Sequence, residues 1–234
     1  MLDKGATVGM TSGVVDTAGA YIDVWKFGWG TAYVQQQLAT KLALLARGGI
    51  LSCLGGTLLE ISWAQGRAEE CLAWAKEVGF AAVEVSRGVV DMSIADKHAL
   101  IQQAQTAFTV FSEVGRKDER EELSGSEWAQ EVAGDRAAGA HWVIAEGRES
   151  GSVGIYRPDG GIRTDIVAAI VSAAGPDAVL FEAPRKDQQA WFVREFGPDV
   201  NLANVALEDA IALETLRLGL RADTFGLSRQ CLPI

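Results

Sequence analysis

The sequence predicts an α/β chain folded as one barrel of eight parallel strands alternating with helices, its first strand cut short. Three observations predict it. Short apolar runs alternate with helical patterns along the whole chain. Four of the runs, in "AVEVS", "TVFSEV", "WVIAEG" and "AVLFEA", carry a glutamate at or near their end. Those glutamates, Glu84, Glu113, Glu146 and Glu182, stand 29, 33 and 36 residues apart, which is room for one strand, one helix and two loops.

Taken in order, the apolar runs cover residues 21–26, 50–54, 82–86, 109–114, 142–146, 178–182 and 200–205. Runs that alternate with helices imply parallel strands covered by those helices. Seven such strands approach the eight of a (β/α)8 TIM barrel. Only "MLDK" is left for strand one, shorter than the roughly five residues usual in a strand. The chain is 234 residues long and 48% hydrophobic, which suits a single domain over 1–234 with one large core.

The helices carry their own start and stop signals. Val34, Leu38, Leu42 and Leu45 make one apolar stripe that Gly48 and Gly49 can end. "SIADKHALIQQAQTAF" opens with Ser93 and Asp96 in a capping-box-like arrangement, and "SGSEWAQEVAGDRAAGA" does so with Ser124 and Glu127. The aromatic-rich "QQAWFVREF" reads as a core helix rather than a subunit contact. The longest irregular stretch runs from Glu146 to Asp165, with glycines and charges suited to a loop over a site.

Charge and composition exclude several classes of function. Thirty-one acidic against twenty-one basic residues give a net charge of -10, a field that repels nucleic acid and anionic membrane surfaces. The N-terminus has no basic region followed by an apolar core, and no apolar run reaches the ~18 residues of a span. A soluble, cytoplasmic protein is expected. Cys53, Cys71 and Cys231 lack CxxC spacing and are odd in number, so they read as buried thiols rather than a disulfide framework or zinc site.

In a parallel barrel the carboxyl ends of the strands open on one face, where active sites lie. Glu84, Glu113, Glu146 and Glu182 are expected to converge there, with Lys26 from the second strand and Glu60 beyond the "GGT" turn of the third. Packed carboxylates repel one another and need a cation or lysines to compensate. His98 falls within a helix and His141 at the start of a strand, so the ligands are oxygens, which favours Mg²⁺ or Mn²⁺ over zinc or copper. The same placement leaves no Ser/His/Asp grouping. Lys26, Arg87, Arg116, Lys117, Arg148, Arg185 and Lys186 gather on that face, which suggests a small, highly anionic substrate. The turns "KFGWGT" and "CLGGTLLE" read as plain strand-to-helix turns, since neither matches a P-loop or GxGxxG.

Together "YIDVWKFGWGTAY", "GGTLLE", "GFAAVEVSRG", "FSEVGRKD", "VIAEGRESG", "GIY", "FEAPRKDQQAWFVREFGP", "VNLANV" and "ALETLRLGLRADTF" resemble the phosphosulfolactate synthase family over nearly the whole chain. The resemblance implies a Mg²⁺-dependent barrel that adds sulfite to phosphoenolpyruvate, in one route to coenzyme M. It also implies a homo-oligomer, with a trimer as one candidate. Carried onto this sequence, Glu113, Glu146 and Glu182 become metal ligands, directly or through water. Lys26, Arg148 and Arg185 bind substrate anions, with Ser86 and Asn204 beside them. Lys117 becomes the proton donor, and Lys26 and Glu84 complete the catalytic group.

Two departures bear on this. Arg87 stands where the family pattern has an acidic or amide residue, and "MLDKG" is short where family members carry further residues. Arg87 therefore keeps open a related barrel with another nucleophile or acceptor in enolate chemistry. A non-catalytic binding or stress-protective relative is the third reading.

Overall fold

The computed structural model describes residues 1–115 and 123–227. Eight parallel strands lie in sequence order among them. They are β1 (Leu2–Asp3), β2 (Val24–Phe27), β3 (Leu51–Leu54), β4 (Ala82–Val85), β5 (Thr109–Val114), β6 (Trp142–Ala145), β7 (Val179–Glu182) and β8 (Leu202–Ala203). Leu2 also bridges in parallel to Ala206, and its N–H donates to the Val205 carbonyl at 2.9 Å. That contact joins the last strand to the first, so the sheet is a nearly closed (β/α)8 barrel.

Side chains alternate across each strand, and the alternation divides the sequence into two sets. Trp25, Phe27, Val83, Val85, Val110, Val143, Val179 and Phe181 are fully buried in the apolar core. Phe181, for example, stacks on Phe192 of the helix Lys186–Phe196 with ring centroids 4.5 Å apart. That helix is therefore core, as its aromatic content predicts. The barrel interior takes Cys53, Ala82, Phe111 and Ile144, with Val24, Leu51, Trp142 and Leu180 packed on them.

Two helices begin as their sequences predict. Ser93 caps the helix Ile94–Ala104 by accepting from the Asp96 N–H at 3.1 Å. Ser124 and Glu127 form a reciprocal capping box on the helix Gly125–Ala138. The predicted stripe upstream is shorter than expected. Leu38, Leu42 and Leu45 are buried on the helix Leu38–Arg47, but Val34 belongs to a separate turn, Thr31–Val34, and is 78% exposed. Strand limits also contract: Tyr21 lies in a 3-10 turn, Gly19–Tyr21, and the 200–205 run keeps only Leu202–Ala203 as strand.

Strand one is short, as expected. β1 has two residues, and the Met1 amine lies inside, donating to the Val24 carbonyl at 2.6 Å. Burial lowers the pKa of that amine to about 5. Below it, at the amino ends of the strands, lies a cavity of about 1010 Å³ walled by Val24, Leu51, Phe111, Trp142 and Leu180 among others. Cys53 and Cys71 are buried free thiols, as predicted, and Cys231 lies outside the described residues.

Candidate active site

The inward positions explain why the apolar runs carry glutamates. A residue two places after an inward apolar residue also faces inward, one level nearer the carboxyl ends. Val24 is thus followed by Lys26, Ala82 by Glu84, Phe111 by Glu113, Ile144 by Glu146, Leu180 by Glu182 and Leu202 by Asn204. One level of the interior is apolar and the next is charged. The charged level forms the floor of a second cavity, about 310 Å³, at the carboxyl ends of the strands. Lys26, Glu84, Glu113, Glu146, Arg148, Glu182 and Asn204 line it with Trp29, Gly55, Gly56 and Thr57.

Glu113, Glu146 and Glu182 each offer a carboxylate oxygen, and the three lie within 4.8 Å of one another, all buried. Lys26 Nζ sits 2.9 Å from Glu84 Oε2 and 3.3 Å from Glu182 Oε1. Burial opposes the Lys26 ammonium, but Glu84, Glu182 and Glu113 outweigh it and hold its pKa well above the usual lysine value. Lys26 is therefore a fixed cation at neutral pH. Burial pushes the Glu84 pKa up, against the pull of Lys26.

Main-chain amides aim the carboxylates. Glu182 Oε2 accepts from the Gly147 and Arg148 N–H groups, each at 2.9 Å, and Glu146 Oε1 accepts from Arg148 N–H at 2.8 Å. Arg148 can present its amide this way because its backbone is left-handed, with φ of 56°, a conformation uncommon outside glycine. Glu84 Oε1 accepts from Gly56 N–H at 3.0 Å. A side chain on Gly56 is excluded, because its Cβ would lie 2.2 Å from Ser86 Oγ.

The irregular stretch after β6 is packed rather than loose. Val153, Ile155 and Tyr156 are buried, and the Tyr156 hydroxyl donates to the Glu182 carbonyl. The stretch holds the Gly147 and Arg148 amides in place, a role for backbone that side-chain types do not advertise. Tyr156 acts through its side chain, and the signal for it in the sequence is "GIY", one of the motifs that carry the family resemblance.

Several expected positions fall elsewhere. Ser86 does not line the mouth; its hydroxyl donates to Glu60, which also accepts from the Val89 and Val90 N–H groups at 2.6 and 3.3 Å. Glu60 thus secures the loop after β4 instead of joining the other glutamates. Arg185 turns toward the Glu146–Asp165 stretch, where a Cβ on Gly160 would meet its Nη1 at 2.5 Å. Lys186 pairs with Asp223 at 2.9 Å. Arg87 is held bidentately by Glu131, with Nε to Oε1 at 3.1 Å and Nη2 to Oε2 at 3.0 Å. The predicted basic cluster therefore contracts to Lys26 and Arg148 among the described residues lining the mouth. Arg116 and Lys117 lie outside the described residues. Both histidines are away from the mouth, as predicted: His98 Nε2 lies 3.2 Å from Asp135 Oδ1, and His141 Nδ1 accepts from Val110 N–H at 3.1 Å.

Fold and site define a barrel enzyme whose mouth is built on buried carboxylates. The family model for (2R)-phospho-3-sulfolactate synthase (ComA) matches residues 1–223, and the chain belongs to that family. A phosphosulfolactate synthase of Bacillus subtilis is 40% identical over 230 residues, covering 97% of this chain and 91% of the relative. One of Methanocaldococcus jannaschii is 38% identical over 232 residues, covering 97% and 92%. Among solved structures, 3-hexulose-6-phosphate synthase from Salmonella typhimurium superposes with a TM-score of 0.60 over 97% of this chain and 93% of that one. At 16% identity that likeness speaks for the barrel alone.

Proposed function

We propose that the chain adds sulfite to phosphoenolpyruvate, giving (2R)-phospho-3-sulfolactate, and that it needs Mg²⁺ to do so. The observation that carries this reading is the trio Glu113, Glu146 and Glu182, buried within 4.8 Å of one another in a member of this family. An oxygen-only trio of anions suits a hard divalent cation, which would also offset their repulsion. When bound, such a cation supplies Lewis-acid stabilisation of negative charge on a substrate carboxylate.

The reaction balances without an oxidant or reductant. The sulfur lone pair of sulfite attacks C3 of phosphoenolpyruvate, and the C2–C3 π pair moves onto the carboxylate. A proton then arrives at C2. Both reactants are anions, so fixed positive charge in the mouth reduces the cost of bringing them together. Lys26 supplies it from the floor, with Glu84 holding the ammonium in place. Arg148 and Asn204 line the mouth beside it and are assigned to substrate. Lys117, four residues beyond Glu113, is assigned as proton donor, because an ammonium on a long stem can release a proton that a guanidinium retains.

The Arg87–Glu131 pair removes the reason for preferring another nucleophile, since that guanidinium is engaged away from the mouth. The test is consumption of phosphoenolpyruvate by pure protein with Mg²⁺, in the presence and absence of sulfite. Sulfite-dependent loss supports the proposal, and equal loss without sulfite discards it.

A further inference from the structure

A second group of buried charges lies behind β5, between the helices Ile94–Ala104 and Gly125–Ala138. Lys97 is 0% exposed, and its three N–H donors all have acceptors. Nζ is 2.7 Å from the Glu113 carbonyl oxygen, 3.0 Å from Glu131 Oε1 and 2.6 Å from Asp135 Oδ2. Glu131 is gripped on its outer side by Arg87, and Asp135 also accepts from the Ser112 hydroxyl. Two cations, Lys97 and Arg87, thus meet two carboxylates, and His98 Nε2 also lies 3.2 Å from Asp135 Oδ1.

We infer that Arg87, Glu131 and Lys97 are positioning residues that set Glu113 within the carboxylate trio. The inference rests on the reading of that trio as a cation site. Glu146 and Glu182 have their carboxylates aimed by the Gly147 and Arg148 amides. At β5 the strand is also held from outside the barrel: Asp135 holds Ser112, and Lys97 holds the main-chain oxygen of Glu113 itself. Ser112 faces the helices while Glu113 faces the interior, so fixing one side of the strand orients the other.

Stability does not account for the arrangement. A buried ion-pair group gains little over apolar residues of the same volume, because desolvation offsets the Coulomb attraction. Leucine and methionine would join these helices to β5 about as well. They would not hold a carbonyl in register, and ligand geometry tolerates only about 0.5 Å of error. Mg²⁺ demands near-ideal octahedral geometry. Loosening Glu113 should therefore weaken Mg²⁺ more than it weakens Ca²⁺, which accepts irregular coordination.

The test uses Lys97→Met/Glu131→Leu, which removes one charge of each sign and severs the tie to the Glu113 carbonyl. Arg87→Met serves as a second, milder variant that leaves Lys97 in place. Mg²⁺ and Ca²⁺ affinities are measured by calorimetry and folding by thermal melting. The double variant is expected to fold but to melt below wild type, because Asp135 and Arg87 each lose a charged partner, to lose about 10-fold or more in Mg²⁺ affinity, and to lose less for Ca²⁺. Arg87→Met is expected to shift the same ratio in the same direction by a smaller factor. A double variant that folds and keeps both affinities within about twofold overturns the inference. If the double variant does not fold, an unchanged Mg²⁺ to Ca²⁺ ratio in Arg87→Met overturns it. Wild-type protein that binds neither ion would instead overturn the cation-site reading, and this inference with it.

Discussion

The two ends of the barrel are built from the same strands and do opposite things with their interior. At the amino ends the inward residues are Val24, Leu51, Phe111, Trp142 and Leu180, around a cavity of about 1010 Å³. At the carboxyl ends they are Lys26, Glu84, Glu113, Glu146 and Glu182, around one of about 310 Å³. The difference teaches that site chemistry here depends on local polar partners rather than on space. The larger cavity has apolar side chains on its strand wall and Asp23, Asp199, Glu214 and Arg217 elsewhere in its lining, with Met1 among them. The smaller one has an amide or ammonium placed against Glu84, Glu146 and Glu182.

The contrast would break most decisively at the carboxylate trio, Glu113, Glu146 and Glu182. Glu146→Gln is expected to fold but to lose Mg²⁺ affinity beyond the ~10–100-fold seen when only outer partners of a metal are changed. Calorimetry on both proteins checks this, and equal affinities would refute the assignment. In the same vein, excess EDTA should abolish activity and added Mg²⁺ or Mn²⁺ should restore it. Undiminished turnover in EDTA would remove the metal from the mechanism.

Next in size is proton delivery. Lys117→Met should leave phosphoenolpyruvate binding intact and lower kcat by roughly 10²-fold, the scale of positioned acid catalysis. A variant within about threefold of wild type would transfer the role to Lys26, whose raised pKa makes it a poorer donor.

The smallest effect sharpens the comparison from the other end. The Met1 amine has a folded-state pKa of about 5 against 8.0 unfolded. Between those values the unfolded chain binds the extra proton, so stability should rise with pH across the window and level off above it. Its slope is at most about 1.4 kcal/mol per pH unit. In protein beginning at Met1, acetylating that amine should remove this part of the slope in melting experiments at pH 5 to 8. Identical slopes before and after acetylation would show that the amine reaches water.

Much of this was legible in the residues. Glu84, Glu113, Glu146 and Glu182 were recognisable as a series, and Ser93, Ser124 and Glu127 marked helix starts that the structure reproduces. Arg87, Arg185 and Lys186 were placed at the mouth because they follow strand ends, and Ser86 by the family resemblance, yet Ser86, Arg87 and Lys186 are taken up by other partners and Arg185 turns toward Gly160. Past a strand end the period of two lapses, and a long side chain turns to whichever opposite charge is near. Arg87 finds Glu131, 44 residues away in sequence. The amide clamps left no side-chain trace, since Gly147 and Arg148 act through backbone.

What the sequence determined by itself was the alternation: which residues share a face of each strand, and that an apolar level is followed by a charged one. This is local geometry, because successive side chains on a strand point to opposite sides whatever lies around them. Only the tertiary structure decided which carboxylates meet, that Lys26 stands between Glu84 and Glu182, and that Lys97 reaches the Glu113 carbonyl from behind. Those contacts depend on closure of the barrel and on the packing of helices against it, which bring together groups that no spacing in the chain relates.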